Sequence, residues 1–176
     1  GYFGYCLWCY YQEYQDDQKL YGDLREAVLQ TTDESEQPEL STEESVSESD
    51  TKRKQTKKKK EESPFEVDWA ALKEINEDII GWVYFTGLPQ ISYPILQAED
   101  NAYYVNRTYD LSSDDSKAGS IFMDYRMASD FSSPYSIIYG HNVRDGSMLS
   151  DLVLLKDQKL YDEEPYFWIL TPDVNY

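Results

Sequence analysis

A mainly β domain with helices, built as an antiparallel or mixed barrel, is the fold class this sequence predicts, and three observations predict it. Five short runs rich in β-branched and aromatic residues, WVYF (82–85), ISYPILQ (91–97), SIFMDYR (120–126), SIIYGH (136–141) and YFWILT (166–171), are bounded by turn-forming residues. The βαβ rhythm of a doubly wound parallel sheet is missing. The two longest helical patterns precede the strands rather than alternating with them.

The chain has 176 residues, enough for one domain with a sizeable core, but its composition is uneven. Gly1–Tyr11, GYFGYCLWCYY, is apolar and strongly aromatic. It is too short to cross a bilayer, which needs about 20 apolar residues. Its rings resemble the aromatic belt where a membrane helix leaves the lipid, so residues 1–11 are expected to be the end of a membrane anchor. Residues 12–30 follow as a helical stalk, with Tyr14, Leu20, Leu24, Ala27 and Val28 near helical spacing. Residues 31–63 hold almost no large apolar side chains and cannot offset their chain entropy by burial, so they read as a disordered charged linker. The folded domain is expected over 64–176.

Within that domain Pro64 and Asp68 open a helix whose stripe of Val67, Leu72, Ile75, Ile79 and Ile80 ends at Gly81. WVYF and ISYPILQ then form a hairpin around TGLPQ, with Pro94 marking an edge or a bulge. EDNAYYVN (99–106) suits a short helical turn that puts Asn101 and Val105 on one face at i, i+4. Met148, Leu149, Leu152 and Leu155 make 147–156 an amphipathic helix.

Charge narrows the function classes. The net charge is −18, and from Pro64 onward nineteen acidic residues face seven basic ones. Such a surface repels phosphates, so a nucleic-acid-binding domain is excluded. The run KRKQTKKKK (52–60) dissents, but it sits between acidic stretches and reads as part of a charge-segregated spacer. Cys6 and Cys9 are the only cysteines, and their C-x-x-C lacks both a strand-to-helix context and a second ligand pair. No cofactor or metal is implied. Asp110, Asp114, Asp115, Asp124 and Asp130 lack the spacing of a calcium loop and read as solvated loop carboxylates.

His141 is the only histidine and stands at the end of an apolar run. A neutral imidazole moves protons near neutral pH, and a strand end can aim it into a cleft. Without a Cys, Ser or carboxylate close in sequence, a lone histidine is more often a surface or packing residue. The neighbouring segments change that balance.

Read together, GWVYFTGLPQISYPILQAEDNAYYVN, KAGSIFMDYR, IIYGHNVRDGSML and YDEEPYFWILTPD resemble the class B sortases, membrane-anchored cysteine transpeptidases of Gram-positive bacteria, from about Val67 to Tyr176. The resemblance implies a closed sortase β-barrel, incomplete here, with N-terminal helices. It implies a single-pass protein of the cell membrane with its catalytic domain outside. It also implies a Cys–His–Arg site: a thiolate attacks a carbonyl of a C-terminal sorting signal on a surface protein, and an amine of a peptidoglycan precursor or a pilin resolves the thioacyl-enzyme. His141 matches the family's proton carrier, and Asn101 and Val105 match positions lining its substrate groove. Val105 stands where the family often has Leu, and Val143 where it often has Met. The family's cysteine lies in a TLSTC-like strand end well after the histidine, with the arginine on the next strand, and neither motif occurs here. Arg126 and Arg144 fall in other motifs. The expectation is a fragment lacking both ends, inactive alone, from a protein active at full length; the alternative is a noncatalytic sortase-like surface module that binds without cleaving.

Overall fold

The structure is a computed structural model that describes residues 2–31 and 63–176; of Tyr2–Leu7, Tyr10 and Thr31 only the backbone is described. All but the edges of the expected charged linker therefore lies outside the described residues. The chain opens with α1 (Tyr2–Val28), which runs into β1 (Leu29–Thr31). β1 pairs antiparallel with β2 (Phe65–Val67), Thr31 opposite Phe65, so the chain leaves and re-enters at one place. The last turns of α1 lie in the core, where Tyr21, Leu24 and Val28 are buried on one face at i, i+3 and i+7.

No helix among the described residues is long and apolar enough to cross a membrane. This overturns the expected single-pass placement. At 27 residues α1 has the length, but from Glu13 onward it carries Asp16, Asp17, Lys19, Asp23, Arg25 and Glu26. Charges at that density are costly in hydrocarbon, and the apolar face they leave is used against the sheet.

α2 (Trp69–Ile75) starts where expected, its first turn capped by the Asp68 carboxylate, which accepts from the Ala71 N–H at 3.0 Å. It ends at Ile75, short of the predicted stop at Gly81. Asn76 turns extended because its side chain is buried in other bonds: Nδ2 donates to the Tyr104 hydroxyl at 2.9 Å and the Tyr109 carbonyl at 2.7 Å, and Oδ1 accepts from the Asp78 N–H. Ile79 and Ile80, which continued the helical stripe in sequence, instead begin β3 (Ile79–Phe85).

β3 and β4 (Leu88–Leu96) form the expected hairpin, with Phe85 opposite Leu88 across Thr86-Gly87. Residues 97–120 then cross over to β5 (Ile121–Met123), which runs parallel to β4. β6 (Ile138–Tyr139) returns antiparallel to β5, a 3₁₀ helix (Ser150–Lys156) replaces the predicted α-helix, and α3 (Gln158–Glu163) leads to β7 (Phe167–Leu170) beside β3. The sheet order is β6-β5-β4-β3-β7, a mixed sheet. Among the described residues it stays open, with β6 and β7 as its edge strands; no closed barrel forms. Pro94 lies in an interior strand opposite Trp82, one residue from the irregular step in the β3–β4 register near Gly81.

Trp82, Ile91, Ile95, Leu96, Ile121, Met123 and Leu170 are almost fully enclosed and form the centre of the core. Each such side chain contributes about 1.5–3 kcal/mol relative to exposure. The Trp82 indole N–H is satisfied inside, donating to the Ser92 hydroxyl at 3.0 Å.

Candidate functional site

Tyr139 ends β6, and His141 stands two residues on. Both line a cleft of about 350 Å³ together with Gly140, Phe122 of β5, and Asn101 and Val105 of the 97–120 crossover. The three residues singled out in the sequence therefore meet. Phe122 and Tyr139 give it an aromatic wall, their rings 5.3 Å apart and tilted by 31°.

Several buried groups hold these pieces. Tyr104 is enclosed; its hydroxyl donates to the Asp78 carboxylate at 2.6 Å, and its carbonyl accepts from the Ser120 N–H. Burial, and then the bond to Asp78, pushes its phenol above the ordinary value. Val105 is thereby fixed beside the start of β5. The segment carrying Asn101 is a tight turn and not the expected helical turn: the Asp100 carboxylate accepts from the Ala102 and Tyr103 N–H groups, and Val105 N–H donates to the Ala102 carbonyl. Asn101 and Val105 share the cleft through this turn.

The loop after His141 is pinned at both ends. Asn142 bridges Met148, Val143 and Met148 are buried, and the Met148 N–H donates to the Tyr93 hydroxyl at 3.0 Å. Gly119 has φ +57°, and a methyl group there would run into the Val105 carbonyl.

That carbonyl also sets the state of His141, whose Nε2 lies 2.7 Å from Val105 O. A carbonyl only accepts, so Nε2 carries the proton and Nδ1 is the nitrogen left to exchange one. The Asn101 amide is largely committed within the protein. Its Nδ2 donates to Asp124 Oδ2 at 2.9 Å, and its Oδ1 accepts from the Tyr125 N–H at 3.0 Å.

In sequence Asp124 reads only as a solvated loop carboxylate. It is fully inaccessible, and its carboxylate accepts five hydrogen bonds: from the Arg126 N–H, Nε and Nη2, from Asn101 Nδ2 and from the Tyr139 hydroxyl. The Arg126 guanidinium holds it well below the usual carboxylate range. In turn the bond to Asp124 raises the Tyr139 phenol. The sequence signal was present as Asp and Arg two residues apart at a strand end, but their partners lie on other segments. The other aspartates serve local turns or surface pairs, Asp110 with Ser112, Asp130 with Ser132, Asp114 with Arg107 and Asp115 with Lys117. Among the described residues no three metal-ligating side chains gather. Cys9 lies half-buried on α1.

No family model matches the chain. Two sortase B proteins are similar to it in sequence: that of Listeria monocytogenes, 42% identical over 96 residues, and that of Staphylococcus aureus, 36% identical over 93. These stretches cover 54% and 53% of this chain but only 38% and 37% of the relatives. The chain thus aligns with less than two fifths of each curated relative's length. In three dimensions it resembles a Bacillus anthracis sortase B with a TM-score of 0.66 and 27% identity, over 94% of this chain and 66% of that one. It also resembles S. aureus sortase B solved in a substrate complex, with a TM-score of 0.55 and 30% identity, and a sortase B solved with triglycine, with a TM-score of 0.53 and 29% identity, over 60% of this chain and 48% of each of those.

Proposed function

We propose that this chain, homologous to the class B sortases, supplies the histidine side of a cysteine transpeptidase site. His141 is the proton carrier, and Asn101 and Val105 border the groove that takes an extended peptide. The observation that carries this reading is the convergence of these three residues on one aromatic-walled cleft, reached from two separate segments of the chain.

In the reaction a thiolate adds to a peptide carbonyl, and the tetrahedral species collapses as the departing amine takes a proton. That proton is the one the thiol gave to His141 Nδ1 when the thiolate formed; the imidazolium releases it from Nδ1, because Nε2–H is held by Val105 O. An incoming amine then adds to the thioester and returns its proton to Nδ1, which restores the histidine. Val105 and the Phe122–Tyr139 wall suit an apolar ring or branched side chain, and a peptide bound there would meet few other charges in the cleft. The peptide belongs to a surface protein with a C-terminal sorting signal. The amine belongs to a peptidoglycan precursor or a pilin, and a relative solved with triglycine supports a peptide amine in that role.

The nucleophile comes from elsewhere. No cysteine follows Cys9 in this sequence, and Arg126 is committed to Asp124. The proposed cysteine and oxyanion-binding arginine therefore belong to parts of the relatives' length that this chain does not span, and the chain alone is proposed to be inactive.

The test uses a protein that joins this sequence to such a cysteine and arginine. With triglycine as acceptor, His141→Ala is expected to lower transfer by roughly a thousandfold while circular dichroism stays unchanged. Turnover within tenfold of the parent would overturn the role of His141. No transfer by the parent, with peptide binding retained, would favour a noncatalytic binding module.

A further inference from the structure

The Asp124 carboxylate has no contact with solvent, yet it reaches three segments of the chain. Its two oxygens accept from Arg126, which follows β5, from Asn101 in the crossover and from Tyr139 at the end of β6. Two of these three donors line the cleft, whereas Asp124 and Arg126 do not. The Asn101 amide has one further bond, from the Tyr125 N–H, and the Tyr139 ring leans on Phe122 while Arg126 also faces its hydroxyl. An ionised carboxylate enclosed without donors is costly, so the five bonds hold one another in place. Arg126 keeps it ionised from outside, its side chain 60% exposed while the carboxylate is fully covered.

We propose that Asp124 is the positioning residue of the cleft: its carboxylate fixes the side chains of Asn101 and Tyr139, and it acts on a bound peptide only through them. The inference deepens the peptide-transfer reading and rests on it for the peptide. The positioning itself is independent of that reading.

The experiment separates the two. The whole chain is labelled at the tyrosine ring carbon bearing oxygen, and Tyr139→Phe identifies the Tyr139 signal. The groups facing that phenol are Asp124 and Arg126, with the Tyr125 ring beside Arg126. In the wild type, Tyr139 is expected to titrate above an ordinary tyrosine. Asp124→Asn should bring its titration down and move the Asn101 side-chain amide signals toward those of a free amide. Should Asp124→Asn fail to fold, Asn101→Ala leaves the carboxylate and Arg126 in place. It removes one competing donor and should raise the Tyr139 titration further. A Tyr139 titration unmoved by either variant overturns the proposal.

Binding of acetyl-Ala-Ala-Pro-Ala-Ala amide then reads the peptide side. Asp124→Asn should weaken it at least tenfold in the wild-type background and less than twofold in the Asn101→Ala, Tyr139→Phe background. An equal loss in both backgrounds overturns action through those side chains. If the wild type does not bind the peptide while Tyr139 still responds to Asp124→Asn, the positioning stands and the peptide reading falls.

Discussion

One carbonyl, that of Val105, does two jobs at the centre of the cleft. It accepts from His141 Nε2 and closes against Gly119, whose φ is positive. Gly119→Ala should therefore cost about 2–4 kcal/mol, from strain at that φ and from collision with backbone that cannot swing aside. It should also displace His141, seen as a changed ring signal, and urea unfolding checks the stability. Asp17 gives a second residue-scale prediction. Burial pushes its carboxyl above the ordinary value of 3.8, although Ser116 Oγ donates to it at 2.9 Å. The folded state thus binds the proton more tightly than the unfolded chain. The stability this lends is fully present below pH 3.8 and is lost as pH rises through the raised value. Asp17→Asn should raise Tm at pH 7 and lose that advantage in melts run at about pH 3.5. The place of His141 in the cleft was legible only through the motifs around it, because a lone histidine at a strand end is more often a packing residue. The commitment of Asn101 was not, because its partner Asp124 lies 23 positions away and nothing local marks the pair.

Among the elements, α1 is joined to the rest by more than the β1–β2 ribbon. The Tyr21 hydroxyl donates to the Gly119 carbonyl at 2.8 Å, and the Tyr109 hydroxyl donates to the Leu20 carbonyl. Tyr21→Phe should cost about 1–1.5 kcal/mol in chemical unfolding, the net worth of a buried hydrogen bond. The ribbon carries another prediction. Thirty-three residues connect Thr31 to Phe65, yet these two face each other. Replacing them with a six-residue glycine–serine turn should stabilise the fold by about 1.5 kcal/mol, from the logarithmic dependence of closure entropy on loop length. Calorimetry would show it, and a loss of stability would mean that the removed residues make contacts. Hairpin β3–β4 was readable from alternation and its turn residues. The end of α2 was not: Ile79 and Ile80 keep helical spacing, and only the bonds of Asn76 to Tyr104 and Tyr109, some thirty residues on, stop the helix.

At the scale of the whole molecule, the class of the fold was legible because short strands without crossover helices leave few architectures. The parallel pairing of β4 with β5 was not, since no periodicity records which neighbour a strand chooses. Nor did the aromatic start of the chain reveal that the helix it opens docks on the sheet through Tyr21, Leu24 and Val28. The net charge of −18 adds a prediction: raising salt from 10 to about 150 mM should raise Tm by screening self-repulsion. A fall would mean that specific ion pairs outweigh it. The 97–120 crossover has a kinetic consequence as well. β4 cannot pair with β5 until 24 intervening residues close into a loop, which makes this contact a slow, non-local step in folding. Asn101 and Val105 ride on that same loop, so the cleft has no earlier, half-built form: it is assembled in the event that completes the centre of the sheet.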